Sequence, residues 1–217
     1  MLEKMSEFFE KRLARYDEHM LTGIEGAAEF YPFTAAQLPR KPKAEILDLG
    51  CGTGLELEAY FPLNPSAYVT GIDLSQGMLD ALARKFPDQG MKLICGSYFE
   101  VELGMVQYDA AVSVESLHHF TAEYKLTLYR KLWLALKEGG HFVLTDYFAE
   151  SPAQEKEYFE TLQRLKQEQG IEDHAFYHYD TPLTVEHEMS ILRQAGFSDV
   201  RELKKWVQTY TITAKKL

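Results

Sequence analysis

Cysteine is scarce in this chain: Cys51 and Cys95 are the only two among 217 residues. Two thiols cannot build a disulfide framework, and both fall in apolar strand or turn segments, so buried free thiols are expected. Basic residues are also in deficit, with 23 Lys and Arg against 33 Asp and Glu and a formal net charge of −10. Non-specific nucleic-acid binding needs a basic face, and only short clusters such as Arg40-Lys41 and Lys204-Lys205 occur. No nucleic-acid partner is expected. Long apolar runs are missing too: no stretch approaches ~18 uninterrupted apolar residues, so no helical membrane span is expected. The start, Met1-Leu2-Glu3-Lys4-Met5-Ser6-Glu7, carries charge where a secretory signal needs an apolar centre. A soluble cytoplasmic protein is the default reading.

What is present is a hydrophobic share of 46%, enough for one α/β domain with additions. From about residue 45 onward, strand and helix patterns alternate, the mark of a parallel sheet with helices on both faces. Strands are expected at Glu45–Leu49, Ala67–Ile72, Met91–Cys95, Tyr108–Val114 and His141–Asp146, with a final pair near Val200–Lys204 and Val207–Thr213. Met78, Leu79, Leu82 and Phe86 mark one helix face, behind Ser75 as N-cap. Leu128, Tyr129, Leu132, Trp133 and Leu136 mark another, with Gly139-Gly140 expected to cap its end. Val185, Met189 and Leu192 mark a third. Two pieces stand outside the alternation: a helical cap over residues 1–44, with Phe8, Phe9, Leu13 and Tyr16 in one stripe, and a helical insertion over about 151–182. The domain proper is then 45–217, and both outlying pieces are candidate lids over the ligand end of the sheet.

The most informative stretch is Ile46-Leu47-Asp48-Leu49-Gly50-Cys51-Gly52-Thr53-Gly54. An apolar run enters a turn with glycines at alternate positions, and a helix-compatible segment follows. Bare peptide at such a turn lets a ligand lie against the backbone, near the free N–H groups that open the helix. A dinucleotide fingerprint would need glycine at position 55, which is Leu55, and the phosphate-loop Lys-Ser/Thr pair is also missing. Asp73 closes the second strand, 19 positions past Gly54, placed to accept from ribose hydroxyls. Capping the helix that follows is the lesser alternative.

The turn closely resembles the first motif of class I S-adenosylmethionine-dependent methyltransferases, roughly D-x-G-x-G-x-G, matched by Asp48, Gly50, Gly52 and Gly54. Gly71-Ile72-Asp73-Leu74 resembles the second motif, and Leu74 would then pack on adenine. Ser97 stands where such enzymes commonly carry an Asp that accepts from the adenine amino group, and Tyr98 offers a stacking face beside it. Tyr108 to Phe120 resembles the Y/F-D-x-V-x-x-x-x-x-L-H-H segment, which turns the backbone of Glu115 and Ser116 toward the methionine half of the cofactor. Leu136-Lys137-Glu138-Gly139-Gly140 resembles the L-K-P-G-G turn, with Glu138 in place of proline, and Arg193 to Phe197 resembles the stretch before the final hairpin. The resemblance spans residues 45–214. It implies a doubly wound, mostly parallel seven-stranded sheet whose last strand is antiparallel, S-adenosylmethionine as cofactor, and methyl transfer to a small-molecule acceptor.

In-line displacement from a sulfonium needs no protein nucleophile, though a base helps when the acceptor is a hydroxyl or protonated amine. His118, just past a strand end, is the expected base, with His119 beside it. The loop from Asp173 to Asp180 holds Tyr177 and His178, which with Tyr16, His19 and His119 could wall an acceptor pocket. Plain lid packing would use the same rings. Glu115, His118, His119 and Asp146 could be drawn together as metal ligands, but their spacing fits no ligand signature, and no metal is expected. Two other readings stay open: a cofactor-binding protein without methyl transfer, and a nicotinamide-dependent oxidoreductase. The sequence fixes neither the acceptor nor the oligomeric state, with a homodimer one option.

Overall fold

The computed structural model describes residues 1–172 and 175–217. Asp173 and His174, which open the aromatic segment, lie outside the described residues. The strands are β1 (Glu45–Leu49), β2 (Tyr68–Asp73), β3 (Gly90–Cys95), β4 (Tyr108–Val114), β5 (Leu136–Tyr147), β6 (Ser198–Trp206) and β7 (Thr209–Lys215). They form one seven-stranded sheet in the order β3-β2-β1-β4-β5-β7-β6. The pairs from β3 to β5 are parallel, whereas β7 is antiparallel to both β5 and β6. All of β4, and β1 from Ile46 onward, are buried, as strands covered on both faces must be. The chain winds outward from β1 to β3, then returns to lay β4 against the other side of β1. Such a reversal opens a crevice beyond the carboxyl ends of β1 and β4, where doubly wound sheets take their ligands.

The helices are α1 (Met5–Arg12), α2 (Tyr16–Gly23), α3 (Ala27–Ala36), α4 (Leu55–Tyr60), α5 (Gln76–Lys85), α6 (Ala122–Ala135), α7 (Pro152–Glu168) and α8 (Val185–Gln194). Serine or threonine starts α5, α6, α7 and α8, each accepting a backbone N–H from the first turn. One core joins α3, α4 and α5 to the sheet through Phe30, Leu57, Tyr60, Leu82 and Ile46. The other joins α6 and α8 to it through Leu128, Tyr129, Leu192, Phe142 and Ile212. Between α6 and α8 lies a buried ion pair, Lys125 Nζ to Glu188 Oε2 at 2.5 Å, and Tyr129 donates its hydroxyl to the same carboxylate. Among the described residues, no helix is long and apolar enough to cross a membrane.

Several sequence expectations change, among them the burial of Cys95, which is exposed. Helix α6 stops at Ala135 and Leu136 is already extended, so Gly139-Gly140 does not cap it. β5 starts five residues before the expected His141. Gly140 instead allows close approach: a Cβ there would come 2.8 Å from the Lys137 carbonyl oxygen and 3.1 Å from that of Asp109. The N-terminal 44 residues also divide in two. Phe30 and Ala35 of α3 are fully buried beneath the sheet, and only α1 and α2 cross the crevice. A short 3-10 turn, Leu13–Arg15, breaks the stripe between those two helices. Last, α7 has no fully buried residue, and Tyr158 reaches the rest of the fold through a 3.0 Å hydroxyl contact with Tyr147.

Helices α1 and α2 are each fastened across the crevice by a carboxylate. Glu10 accepts from the Ser75 hydroxyl at 2.6 Å and from the Gly77 N–H at 3.3 Å, at the start of α5. Asp17 accepts from the Thr53 hydroxyl at 2.5 Å and from Lys85 at 2.8 Å. The Met5 N–H bonds to the Phe176 carbonyl at 2.9 Å, which ties α1 to the aromatic segment.

Candidate functional site

The glycine turn closes β1, and Gly50 and Gly52 adopt φ of 75° and 47°. A Cβ on Gly50 would lie 2.1 Å from Ser116 Oγ, so the turn and the end of β4 approach as only glycine permits. The Gly52 N–H donates to Asp73 Oδ2 at 2.9 Å, and the Ser75 N–H donates to Asp73 Oδ1 at 2.8 Å. A carboxylate has about four acceptor positions, so Asp73 retains capacity for ribose hydroxyls. Burial raises its pKa, against the pull of those backbone donors.

Four expected contacts do not reach the crevice. Gly54 takes φ 75° as the residue before α4, but a Cβ on it would meet Leu82 Cδ1 at 2.4 Å, so it serves helix packing. Asp48 is fully buried under the turn, and neither of its carboxyl oxygens has a hydrogen-bond partner among the described residues. The Ser97 hydroxyl is engaged in its own turn, accepting from the Phe99 N–H at 3.3 Å. Tyr177 bridges to Lys4, and its ring lies 5.2 Å from Lys166 Nζ, outside the cavities.

Asp48 and Glu56 are both buried, and desolvation pushes both carboxyls up, Asp48 further by the charge of Glu56. An acid whose pKa is higher folded than unfolded binds more protons in the folded state. Its stabilisation is therefore lost as pH climbs from the ordinary carboxylate range of ~4 toward the raised value. Glu56→Gln should flatten that decline. Urea midpoints at a series of pH values test it, and wild-type and variant curves falling in parallel would mean that the pair is ionised at no cost.

Glu115, at the end of β4, carries φ 48°, rare for a side chain of its size. Its carboxylate accepts from the Thr209 hydroxyl at 3.0 Å, and burial followed by the charge of Asp146 pushes its pKa up to about 7. The next turn, Leu117–His119, points two imidazoles into the crevice. His118 Nδ1 lies 2.5 Å from Asp146 Oδ1, and Asp146 Oδ2 accepts from the Leu117 N–H at 2.9 Å. Asp180 Oδ1 is 3.6 Å from His118 Nε2 and 3.2 Å from His119 Nδ1. Burial opposes charge on His118, but the charge and hydrogen bond of Asp146, then Asp180, outweigh it and push its pKa up to about 9. That shift favours the protonated imidazole over the free base expected from the sequence. Burial and the neighbouring His118 lower His119. Burial and then His119 bring His178 down to about 4, and its ring stacks on Phe8 at 3.5 Å.

Two connected cavities occupy the crevice. A narrow one of about 40 Å³ runs between the glycine turn, Asp73, Leu74, Tyr98 and Ser116, roofed by Met5, Phe9 and Tyr16. A larger one of about 930 Å³ opens beneath α1 and α2, bordered by His19, His118, Tyr147, His178 and Asp180. Phe9, Tyr16, Glu115 and His119 line both. Sequence reasoning missed Met5, Phe9, Tyr147 and Thr209 because their assembly depends on how α1 and β7 dock. It left Asp180 unassigned, and it weighed Asp146 only as a metal ligand. A carboxylate inside the apolar run of β5 was the available signal for Asp146.

A glycine turn at the switch point, with an acidic residue closing the next strand, defines a nucleotide-cofactor crevice of the doubly wound class. Residues 46–140 match the model of the methyltransferase domain family. The chain is similar to carboxy-S-adenosyl-L-methionine synthase of Helicobacter hepaticus, 28% identical over 182 residues that cover 79% of this chain and 75% of that one. Malonyl-[acyl-carrier protein] O-methyltransferase of Priestia megaterium is 31% identical over 102 residues, 47% of this chain and 36% of its own. Human N-acetylserotonin methyltransferase in complex with S-adenosylmethionine superposes with a TM-score of 0.67 at 18% identity, over 95% of this chain and 56% of that one. Residues 46–140 carry a methyltransferase domain, in the fold of S-adenosylmethionine-dependent methyltransferases, and S-adenosylmethionine is the cofactor these similarities support. The nicotinamide reading is thereby left without support.

Proposed function

We propose that the protein transfers a methyl group from S-adenosylmethionine to a small-molecule acceptor held in the larger cavity. The observation that carries this reading is the wall common to the two cavities, Phe9, Tyr16, Glu115 and His119. A sulfonium lying along Gly50, Gly52 and Ser116 would sit beside residues that also border the acceptor. Asp73 would take the ribose hydroxyls, Leu74 and Tyr98 would flank adenine, and the turn of Glu115 and Ser116 would meet the methionine half. Tyr16, His19, His119 and His178 would enclose the acceptor. Such a site works by alignment and exclusion of water, which α1 and α2 supply as a roof. His118, its ring fixed by Asp146, would orient and polarise the acceptor. His118→Ala should reduce methyl transfer by ~10²-fold or more, with affinity for S-adenosylhomocysteine retained. Transfer of a labelled methyl into a metabolite pool, with calorimetry on the same protein, measures both, and unchanged transfer would remove His118 from the mechanism.

A second reading follows from the rim. Lys11, Arg12 and Arg15 border the larger cavity, and such cations would suit an acidic co-substrate. The similarity to a carboxy-S-adenosyl-L-methionine synthase makes modification of the cofactor itself the rival outcome. The mass of the cofactor product separates the two: S-adenosylhomocysteine for methyl transfer, a heavier sulfonium for the alternative.

A further inference from the structure

We propose that His118, His119 and Asp180 form a binding site for one divalent transition-metal ion on the wall of the larger cavity. One ligand atom from each of the three lies within 4.8 Å of the others. The two measured pairs are His119 Nδ1 to Asp180 Oδ1 at 3.2 Å and His118 Nε2 to Asp180 Oδ1 at 3.6 Å. Donor atoms on a four-coordinate ion with bonds of ~2.0–2.2 Å stand ~3.3–3.6 Å apart. Both of those pairs thus stand near the spacing an ion needs, and the third lies within 4.8 Å.

The surroundings hold the ligands in that arrangement. The His118 and His119 side chains are 9% and 3% exposed, and the Thr181 N–H donates to the His118 carbonyl at 2.8 Å, pinning the Asp180 segment to the histidine turn. His118 offers Nε2 to the centre because its Nδ1 is bonded to Asp146 at 2.5 Å. A carboxylate behind a ligating imidazole fixes ring orientation and raises basicity, as outer partners do in metal centres. Asp146 is itself fixed by the backbone N–H groups of Leu117 at 2.9 Å and Tyr147 at 3.0 Å. Without an ion, the Asp180 oxygen is a hub for imidazole protons. An entering cation displaces those protons to solvent and takes their place, with no change of oxidation state.

Two imidazoles and one carboxylate suit zinc, cobalt or ferrous iron, whereas magnesium and calcium favour oxygen throughout. Three protein ligands leave coordination positions open toward the cavity, which also touches Tyr147 and His178. An acceptor oxygen or nitrogen bound there would lose its proton more readily, and this catalytic use rests on the methyl-transfer reading above. The ion site itself does not.

Cobalt(II) titration of the chelator-treated full chain, followed by its visible absorption, tests the site. Saturation at one equivalent is expected, with displacement by zinc and not by magnesium. His119→Ala and Asp180→Asn should each weaken binding by at least ~10-fold, since even outer partners of a ligand are worth that much. Asp180 is 47% exposed, so Asp180→Asn should fold normally and keep its affinity for S-adenosylhomocysteine, a check that the protein is intact. A wild-type chain without saturable absorption, or an Asp180→Asn protein binding cobalt as the wild type does, would overturn the proposal. Cobalt binding in a chain that transfers no methyl group would leave the site standing and remove the function.

Discussion

Gly50→Ala is expected to weaken binding of S-adenosylhomocysteine by at least ~10-fold, the equivalent of ~1.4 kcal/mol. Two costs combine. The residue sits at φ 75°, and holding a side chain in that region costs ~1–3 kcal/mol. The added methyl would also lie 2.1 Å from Ser116 Oγ and 2.7 Å from Ser116 Cβ. Ser116 has little room to retreat, because its hydroxyl meets that of Tyr98 at 3.2 Å. The turn must then shift, and with it the peptide edge that faces the cofactor. Gly54→Ala makes an informative contrast. Its methyl would strike Leu82 Cδ1, the far end of a side chain buried between helices, so the expected loss is stability, with affinity kept in the protein that folds. Calorimetric titration and urea unfolding on both variants separate the effects. Equal affinity in Gly50→Ala and wild type would show that the turn does not cradle the cofactor.

The second large effect is far from the crevice. Lys125→Met should destabilise the fold by ~3–5 kcal/mol, because it leaves the Glu188 carboxylate buried and without its cation. Glu188 has no side-chain exposure, Lys125 has 2%, and the Tyr129 hydroxyl is the remaining donor to that carboxylate among the described residues. Replacing both partners, as Lys125→Met with Glu188→Leu, removes the stranded charge and should restore most of the loss. Urea unfolding decides the matter. A single variant as stable as wild type would mean that water reaches Glu188.

Much of the sheet was legible in the chain because parallel strands covered on both faces are short apolar runs with sharp ends. Ile46 to Leu49 and Tyr108 to Val114 are of that kind, and both appear where expected. The edges of elements were less legible. Gly139-Gly140 reads as a helix cap because glycine has two uses, a left-handed cap and a close approach of backbones. Only the pairing of β5 with its neighbours tells which applies, since the Gly139 N–H bonds to Lys216 at 3.0 Å from the far end of the chain. The glycine turn divided in the same way. Gly50 and Gly52 face the crevice and Gly54 faces Leu82, a distinction that identical residues in one motif cannot carry.

The histidine turn was visible as a pair of imidazoles after a strand, but its electrostatics were not. Whether His118 is free or charged depends on Asp146 and Asp180, which reach it from β5 and from the aromatic segment. Local sequence holds neither distance. The acceptor pocket was partly legible for a similar reason. Tyr16, His19 and His178 border it, while Tyr177, next to His178, turns to Lys166 because neighbours in extended backbone point to opposite sides.

The carboxylate fastenings of α1 and α2 bear on how a ligand would enter the crevice. The narrow cavity is roofed by Met5, Phe9 and Tyr16, so a molecule the size of S-adenosylmethionine cannot thread past a closed α1. Lifting that roof would break the Glu10 contacts with Ser75 and Gly77, and the Asp17 contacts with Thr53 and Lys85. The Gly77 contact is exposed and the other three are part-buried, so opening exchanges each of them for a bond to water. On the methyl-transfer reading, such a roof would exclude solvent during the reaction and still let the product leave.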